Sequence, residues 1–233
     1  MTIEEYKSRV EKAKRIVFFG GAGVSTESGI PDFRSVDGLY HQKYDAPPEE
    51  ILSARYFRLH TDLFYRFYFD KMIYTSAQPN AAHKKLAEWE SAGKLLAVVT
   101  QNIDGLHQAA GSKNVFELHG TVHRNHCVRC GKSYTLNEVC AHKPNVPMCE
   151  CGGVIKPDVV LYGESLPEDA VNGAVEAIAN ADMLIVGGTS LTVYPAAGFI
   201  GYYRGDKDNL IVINKTRIDG FDNQLNGKLG ELL

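Results

Sequence analysis

Four cysteines with close spacing are the residues best suited to bind a metal. They form two pairs, Cys127 with Cys130 and Cys149 with Cys151, separated by residues 131–148. Two such pairs can place four thiolates around one tetrahedral zinc ion. All five cysteines of the chain lie between Cys127 and Cys151. This clustering favours a metal site over disulfides in a chain without a secretion signal. The spacing therefore predicts one zinc ion.

Other ligand sets remain open at this stage. Cys149 and Cys151 have one residue between them, whereas two or more are common in zinc sites. His123 and His126 lie close enough in sequence to replace a cysteine. A redox site is the second interpretation of these thiols. Cys140 is left over, and we expect it to be a free thiol.

A glycine-rich turn near the N-terminus could bind a phosphate group. The run Gly20-Gly21-Ala22-Gly23 directly follows a short apolar stretch, residues 15–19. Such a turn lets backbone N–H groups approach a phosphate closely. The dinucleotide fingerprint is incomplete, because Thr26 stands where a glycine is usual. A glycine turn without a ligand remains an equal interpretation of these residues alone.

Polar side chains also follow three other apolar stretches. Asn102 and Asp104 come after residues 95–99, Thr189 and Ser190 after 183–186, and Asn214 after 210–213. The carboxyl ends of parallel strands are the usual ligand-binding edge of an open α/β sheet. Each residue could equally cap a turn. His119 can accept a proton near neutral pH, as a general base must, although most histidines are structural or merely exposed.

Alternating helices and strands are expected to position these residues. Helical patterns cover residues 4–14, 80–92, 167–180 and 195–203, and strand patterns cover 15–19, 95–99, 115–118, 159–162, 183–186 and 210–213. The alternation predicts a doubly wound, Rossmann-like parallel sheet. Two stretches interrupt it, so we expect a main domain (1–34, 75–120 and 158–233) and a small helical and zinc-binding domain (35–74 and 121–157).

The composition limits the classes of function. The chain has 233 residues, 44% hydrophobic and 23% charged, which is ordinary for a globular protein. Its net charge of −3 argues against a broad nucleic-acid-binding face. The first ten residues are polar, and no apolar run is long enough to cross a bilayer. A cytoplasmic location is therefore expected.

Three motifs lie in order along the chain: residues 23–34 (GVSTESGIPDFR), residues 100–107 (TQNIDGLH) and residues 118–120 (LHG). They resemble the signature, the second motif and the third motif of the sirtuins, the NAD-dependent protein deacylases. The paired cysteines, residues 187–191 and residues 212–214 follow in family order. The resemblance is to the bacterial-type core catalytic domain and covers nearly the whole chain.

The resemblance assigns roles to individual residues. His119 is expected to be the general base that activates a ribose hydroxyl after nicotinamide has left. Asn102 and Asp104 complete the catalytic set, with Gln101 and Asn102 at the ribose and nicotinamide and Ile103 and Asp104 at the carboxamide. The cofactor-binding set that it implies is Gly21, Ala22, Gly23, Thr26, Asp32, Phe33, Arg34, Gln101, Asn102, Ile103, Asp104, Gly188, Thr189, Ser190 and Asn214.

The substrate residues follow from the same resemblance. Residues 159–164 and 191–195 resemble the segments that flank an extended peptide held by main-chain hydrogen bonds, which implies contacts from the four residues Val160, Gly163, Glu164 and Val193. Tyr68 and Lys71 match the positions of a tyrosine and an arginine that bind the acyl carboxylate in some desuccinylases. Lysine lacks the bidentate fork of arginine, so plain deacetylation is favoured.

The expected function is NAD-dependent deacetylation of protein lysines, releasing nicotinamide and O-acetyl-ADP-ribose. The expected partners are acetyl-lysine proteins, without nucleic acid or membrane, and the expected state is a monomer. In this family the zinc is structural. Desuccinylation or removal of longer acyl chains is one alternative. Protein ADP-ribosylation is a second, and a non-catalytic NAD- or zinc-dependent binding module is a third.

Overall fold

The computed structural model describes residues 1–32 and 46–233. The strands in these residues are β1 (Ile16–Gly20), β2 (Leu95–Thr100), β3 (Val115–Glu117), β4 (Gly120–Cys127), β5 (Ser133–Thr135), β6 (Ile155–Val159), β7 (Met183–Gly187), β8 (Leu210–Asn214) and β9 (Gln224–Asn226). The helices are α1 (Ile3–Lys12), α2 (Pro48–Ile51), α3 (Ala54–Leu59), α4 (Thr61–Lys71), α5 (Ala81–Ser91), α6 (Leu106–Ala109), α7 (Leu136–Cys140), α8 (Glu168–Asn180) and α9 (Leu229–Leu232). The described residues also contain the short 3-10 segments Ala22–Val24, Thr26–Ser28, Ala196–Tyr202 and Lys207–Asn209.

A six-stranded sheet, in the order β3-β2-β1-β7-β8-β9, forms the main body, and all its pairings are parallel. The strands are buried on both faces. Side chains alternate across β1, so Phe18 packs with one helical layer while Val17 and Phe19 pack with the other. The doubly wound parallel sheet predicted from the sequence is therefore confirmed.

The strand order places a crevice at the carboxyl end of β1. The chain leaves β1 toward β2 on one side, and β7 pairs on the other side, so the connections diverge at this point. Open α/β sheets bind ligands where the strand order reverses. The glycine-rich turn that follows Gly20 lies at this position.

A second body contains the antiparallel sheet β5-β4-β6 and the short helices α2, α3 and α4. The two parts share one apolar core, in which Phe64 and Tyr65 of α4 pack with Cys127 of β4 and Ile155 of β6. The Tyr65 hydroxyl donates a hydrogen bond to the Ile155 carbonyl. The exact domain boundaries stay a prediction, and the small sheet itself spans Gly120 to Val159.

One of the predicted strand assignments was wrong. Residues 159–162 do not add a strand to the main sheet: β6 ends at Val159 and pairs with β4 instead. Residues 215–226 show no clear apolar strand pattern in the sequence, yet β9 pairs with β8 at the edge of the main sheet. This strand contributes a single buried apolar residue, Leu225, so it has no apolar pattern to detect.

None of the described helices could cross a bilayer. The longest, α8, has 13 residues, whereas a transmembrane helix needs roughly 20 apolar residues.

Candidate active site

A cavity of about 1210 Å³ opens at the crevice and extends toward the small sheet and helix α4. Most of the predicted site residues line it: Gly21, Ala22, Gly23, Thr26, Asp32, Lys71, Gln101, Asn102, Ile103, Asp104, His119, Val160, Gly163, Glu164, Gly188, Thr189, Ser190, Val193 and Asn214. Phe33 and Arg34 lie outside the described residues. The structure thus brings residues from distant parts of the chain into one cavity.

Two glycine turns that line this cavity, one after β1 and one after β7, contact each other. The N–H of Gly23 donates to the carbonyl of Gly188 over 2.8 Å. A Cβ on Gly23 would lie 2.8 Å from the Gly188 Cα, and Gly188 itself has a left-handed φ of 61°. Any side chain at Gly23 would therefore push the turn after β1 away from the turn after β7.

A buried hydroxyl joins the glycine turn to the polar residues after β2. Ser25 Oγ donates to Asp104 Oδ2 over 2.6 Å and accepts from Asn102 Nδ2 over 3.0 Å. Asp104 Oδ1 accepts the N–H of Leu106 over 2.9 Å. Each carboxylate oxygen of Asp104 keeps one lone pair for a ligand. Ser25 is 1% exposed, so this network is sheltered from solvent.

A second polar chain crosses the ends of three strands. Gln101 Nε2, after β2, donates to Thr189 Oγ1 over 3.1 Å. Asn214 Nδ2, at the end of β8, donates to the Thr189 carbonyl over 3.0 Å. Both amide side chains keep their carbonyl oxygens as possible acceptors, and amide orientation is assigned here from these contacts.

His119 follows β3 and faces the segment after β2. Its Nδ1 lies 3.0 Å from the Gln101 carbonyl, which can only accept, so Nδ1 carries the proton. In the neutral ring Nε2 then holds the lone pair. Burial lowers the pKa of His119, and the hydrogen bond to Gln101 partly offsets this. The imidazole is therefore uncharged at neutral pH, with its one proton on Nδ1.

The residue after His119 fixes its position. Gly120 has a φ of 71°, and a Cβ there would lie 1.8 Å from the Asp158 carbonyl. This close approach brings β4 against β6. The N–H of Val160 then donates to the His119 carbonyl over 2.9 Å. The candidate base is thereby tied to the segment predicted to bind the peptide.

The side chain of Glu164 is bound to its own turn and to Lys156 of β6. Its Oε2 accepts the N–H of Leu161 over 2.9 Å and Lys156 Nζ over 3.1 Å. The backbone of this segment, with Gly163 at a φ of 91°, remains the part suited to strand addition. Val193 lines the cavity from the loop after β7.

The four paired cysteines form a compact cluster. Their sulfur atoms all lie within 4.8 Å of one another, with Cys127 and Cys151 at 3.5 Å and Cys130 and Cys149 at 3.6 Å. Sulfurs about 2.3 Å from a tetrahedral zinc would stand at this spacing, so the residues fit the ion.

The two histidines considered as alternative ligands face elsewhere. His123 Nε2 lies 2.9 Å from the Asp104 carbonyl, and His126 Nδ1 lies 2.5 Å from Asp158 Oδ1. The cysteine cluster leaves out Cys140, which is half-buried against the core of the small body.

Comparison with known proteins agrees with this arrangement. The family model described as "Sir2 family" matches residues 21–195. The chain belongs to the Sir2 family. A protein of Clostridium acetobutylicum named NAD-dependent protein deacetylase is 57% identical over 95% of this chain and 91% of its own length. One of Staphylococcus aureus with the same name is 44% identical over 92% and 88%.

Solved sirtuin structures match over 99% of the chain. A structure of Sir2 with a p53 peptide and NAD+ matches with a TM-score of 0.86 at 38% identity, and the match covers 95% of that structure's chain. A structure of Sir2 bound to an acetylated peptide has a TM-score of 0.87 at 37% identity, also covered over 95%.

One residue of the predicted acyl-binding pair lines the cavity of this sirtuin. Lys71 lines the cavity, and its Nζ lies 3.1 Å from Asp70 Oδ2. Tyr68 is fully buried among Phe64, Tyr65 and other core residues, and it is not among the described residues that line the cavity. The acyl-binding role of Tyr68 stays a prediction, since its ring lies buried beside the cavity lining rather than in it.

Two residues of the site were missed by the sequence interpretation. Ser25 lies within the family signature, and its position between the glycine turn and β2 was the available signal. His123 was considered only as a zinc ligand. Nothing in its sequence context indicates that it faces the Asn102–Asp104 segment, because that contact depends on how β4 crosses the end of β2.

Proposed function

We propose that this sirtuin is an NAD-dependent protein lysine deacetylase that releases nicotinamide and O-acetyl-ADP-ribose. The observation that carries the proposal is the position of His119, which lines the same cavity as the hydrogen-bonded network of Ser25, Asn102 and Asp104. The relatives named NAD-dependent protein deacetylase support the same activity.

The residues of the crevice fit NAD. The two glycine turns line the cavity at the carboxyl ends of parallel strands, the edge where open α/β sheets bind ligands. Gly21, Ala22, Gly23 and Thr26 would hold the phosphates together with Gly188, Thr189 and Ser190, and Asn214 would bind the adenosine ribose. Bound NAD supplies the ribose carbon that accepts the acetyl oxygen as nicotinamide departs.

The segment after β2 would hold the nicotinamide end. Gln101 and Asn102 would line the ribose, and Ile103 and Asp104 would bind the carboxamide, because the free lone pairs of Asp104 suit an amide donor. Asp32 also lines the cavity, and Phe33 and Arg34 belong to the same proposal although they lie outside the described residues. Burial of Ser25 and Asn102 excludes water from this end.

His119 would remove the proton from a ribose hydroxyl at Nε2. Its Nδ1–H would stay hydrogen-bonded to the Gln101 carbonyl, which stabilises the imidazolium once the proton is taken up. A pKa lowered by burial keeps the base unprotonated before that step. The chain thus supplies orientation, proton transfer and shelter from water.

The substrate would be an acetyl-lysine protein bound as an extended strand. Val160, Gly163 and Glu164 would face it on one side, through their backbone, and Val193 on the other. The zinc held by the four cysteines would be structural, since all four tetrahedral positions are filled by protein. We also propose that the protein is a cytoplasmic monomer. Its main domain (1–34, 75–120 and 158–233) and its small domain (35–74 and 121–157) would enclose this cleft.

The test is mass spectrometry of an acetyl-lysine peptide incubated with the protein, with and without NAD. We expect NAD-dependent loss of acetyl with one nicotinamide released per lysine, abolished in His119→Ala. An unchanged peptide with NAD still bound would reject deacetylation. Succinyl and longer acyl peptides, and transfer of labelled ADP-ribose to protein, would then separate the remaining activities.

A further inference from the structure

The imidazole of His123 lies directly over Gly105, in the turn that follows Asp104. A Cβ on Gly105 would lie 2.6 Å from Cδ2 and Nε2 of that ring. Gly105 also has a φ of 72°, a conformation that L side chains rarely adopt. The turn therefore requires glycine for two independent reasons, and one of them is the position of the His123 ring.

Two hydrogen bonds connect β4 to the same turn. His123 Nε2 lies 2.9 Å from the Asp104 carbonyl, and because a carbonyl only accepts, Nε2 carries the hydrogen. The N–H of Val122 donates to the Ile103 carbonyl over 3.0 Å. The backbone of Ile103 and Asp104 is thus held from outside by consecutive residues of the small sheet, while Ser25 holds the Asp104 carboxylate from inside.

We propose that His123 is a positioning residue for nicotinamide binding, acting through the carbonyl of Asp104. The imidazole fixes the backbone of the turn so that the Asp104 side chain meets the carboxamide in one orientation. This inference deepens the proposed function and rests on it, because it takes the role of Asp104 from there. The His123 side chain thus links the small zinc-binding sheet to the NAD pocket, beside the backbone hydrogen bond from Val122 to Ile103.

The first test compares two substitutions. His123→Leu keeps the bulk of the ring and removes the donor, whereas His123→Gln keeps an N–H at a similar reach. Amide hydrogen exchange of residues 102–107 in the protein without NAD should become about two- to tenfold faster in His123→Leu, the effect of one lost hydrogen bond, and should stay near that of the wild type in His123→Gln.

The kinetic counterpart is a selective loss of NAD binding. In His123→Leu the KM for NAD and the inhibition constant for nicotinamide should both rise by about two- to tenfold, whereas the KM for the peptide and kcat at saturating NAD should stay unchanged. His123→Gln should restore both constants. A merely structural role would instead lower the melting temperature and affect the two substrates alike.

The contact with Gly105 gives a second, independent measurement. Gly105→Ala should accelerate exchange of the same amides in the wild-type background and do so less in a His123→Ala background, where the ring no longer opposes the new methyl group. The backbone penalty at φ 72° is common to both backgrounds and cancels in the double-mutant cycle.

Several outcomes would overturn the proposal. Unchanged exchange in His123→Leu, additive effects in the cycle, or an unchanged KM for NAD would each exclude the positioning role. Failure of the proposed function can be told apart from failure of this proposal. In the first case the wild-type protein itself would show no deacetylation in the kinetic measurements. The exchange data without NAD would still report whether His123 holds the turn.

Discussion

Ser25 Oγ and Asp104 Oδ2 lie 2.6 Å apart, which joins the turn after β1 to the turn after β2 through one hydrogen bond. The same hydroxyl accepts from Asn102, so one buried atom orients two predicted site residues. Its removal leaves Asn102 Nδ2 and Asp104 Oδ2 without this hydrogen-bond partner, a loss worth roughly 1–3 kcal/mol for a buried polar group.

Ser25→Ala should therefore raise the KM for NAD about tenfold while leaving the fold intact. Steady-state kinetics with varied NAD would measure this, and Ser25→Thr, which retains the hydroxyl, is the matched control. An equal effect of both substitutions on NAD and on peptide would instead indicate a general disturbance of the turn.

The pH dependence of deacetylation should reflect His119. Burial lowers the pKa of this imidazole below 6.5, the ordinary histidine value. The ring therefore keeps its neutral form to a lower pH than an exposed histidine does. A general base is active only when it is unprotonated. We therefore expect kcat/KM for the peptide to be level above pH 6.5 and to fall only as the pH drops through the lowered pKa. An acid limb centred above pH 6.5 would exclude His119 as the group observed.

Two buried histidines should make the protein sensitive to acid. Burial lowers the pKa of His83 to about 4 and that of His107, whose ring centroid is 4.7 Å away, to about 3. Neither ring nitrogen of His107 has a hydrogen-bond partner among the described residues. Below pH 6.5 the unfolded chain binds protons that the folded chain does not, so the free energy of unfolding decreases as the pH falls.

Together the two histidines should lower the free energy of unfolding by on the order of 2–4 kcal/mol between pH 7 and pH 5. Urea unfolding at both pH values measures this difference. His107→Leu should make the free energy of unfolding less dependent on pH, whereas His60→Gln, at an exposed position, should leave the dependence unchanged. The same slope in His107→Leu and wild type would show that His107 does not contribute.

The zinc site can be tested with one ligand and one non-ligand cysteine. Cys151 belongs to the four-sulfur cluster and Cys140 does not. Metal analysis should find one zinc per chain in the wild type and in Cys140→Ser, and less than one in Cys151→Ser. A chelator should lower the melting temperature of the first two proteins, because binding of the ion stabilises the folded state. Zinc retained in Cys151→Ser would point to another ligand set.

The sequence predicts the parts of the fold that have an apolar signal. The runs that become β1, β2, β7 and β8 are buried on both faces, and their motif residues follow at the carboxyl ends. The strand β9 could not be predicted, because pairing with β8, rather than its own residues, makes it a strand.

The missed site contacts share one physical cause. Tyr68 matches the position of an acyl-binding tyrosine, and only the folded chain shows that its ring is buried and stacked on Phe64. His123 reaches Asp104 only because β4 crosses the end of β2. Motifs indicate which residues bind a ligand, whereas contacts between distant segments require the folded chain.

The last prediction concerns the contact of the two glycine turns. Gly23→Ala places a methyl group 2.8 Å from the Gly188 Cα and its carbonyl oxygen, and neither backbone atom can turn aside. The turns must separate, which should cost about 1–3 kcal/mol of unfolding free energy and abolish measurable NAD binding. Gly201→Ala is the control, because no atom lies within 4 Å of its Cβ, and it should leave NAD binding unchanged. Calorimetric titration with NAD, beside urea unfolding, distinguishes the two variants, and tight NAD binding by Gly23→Ala would show that the turn can move without loss of the pocket.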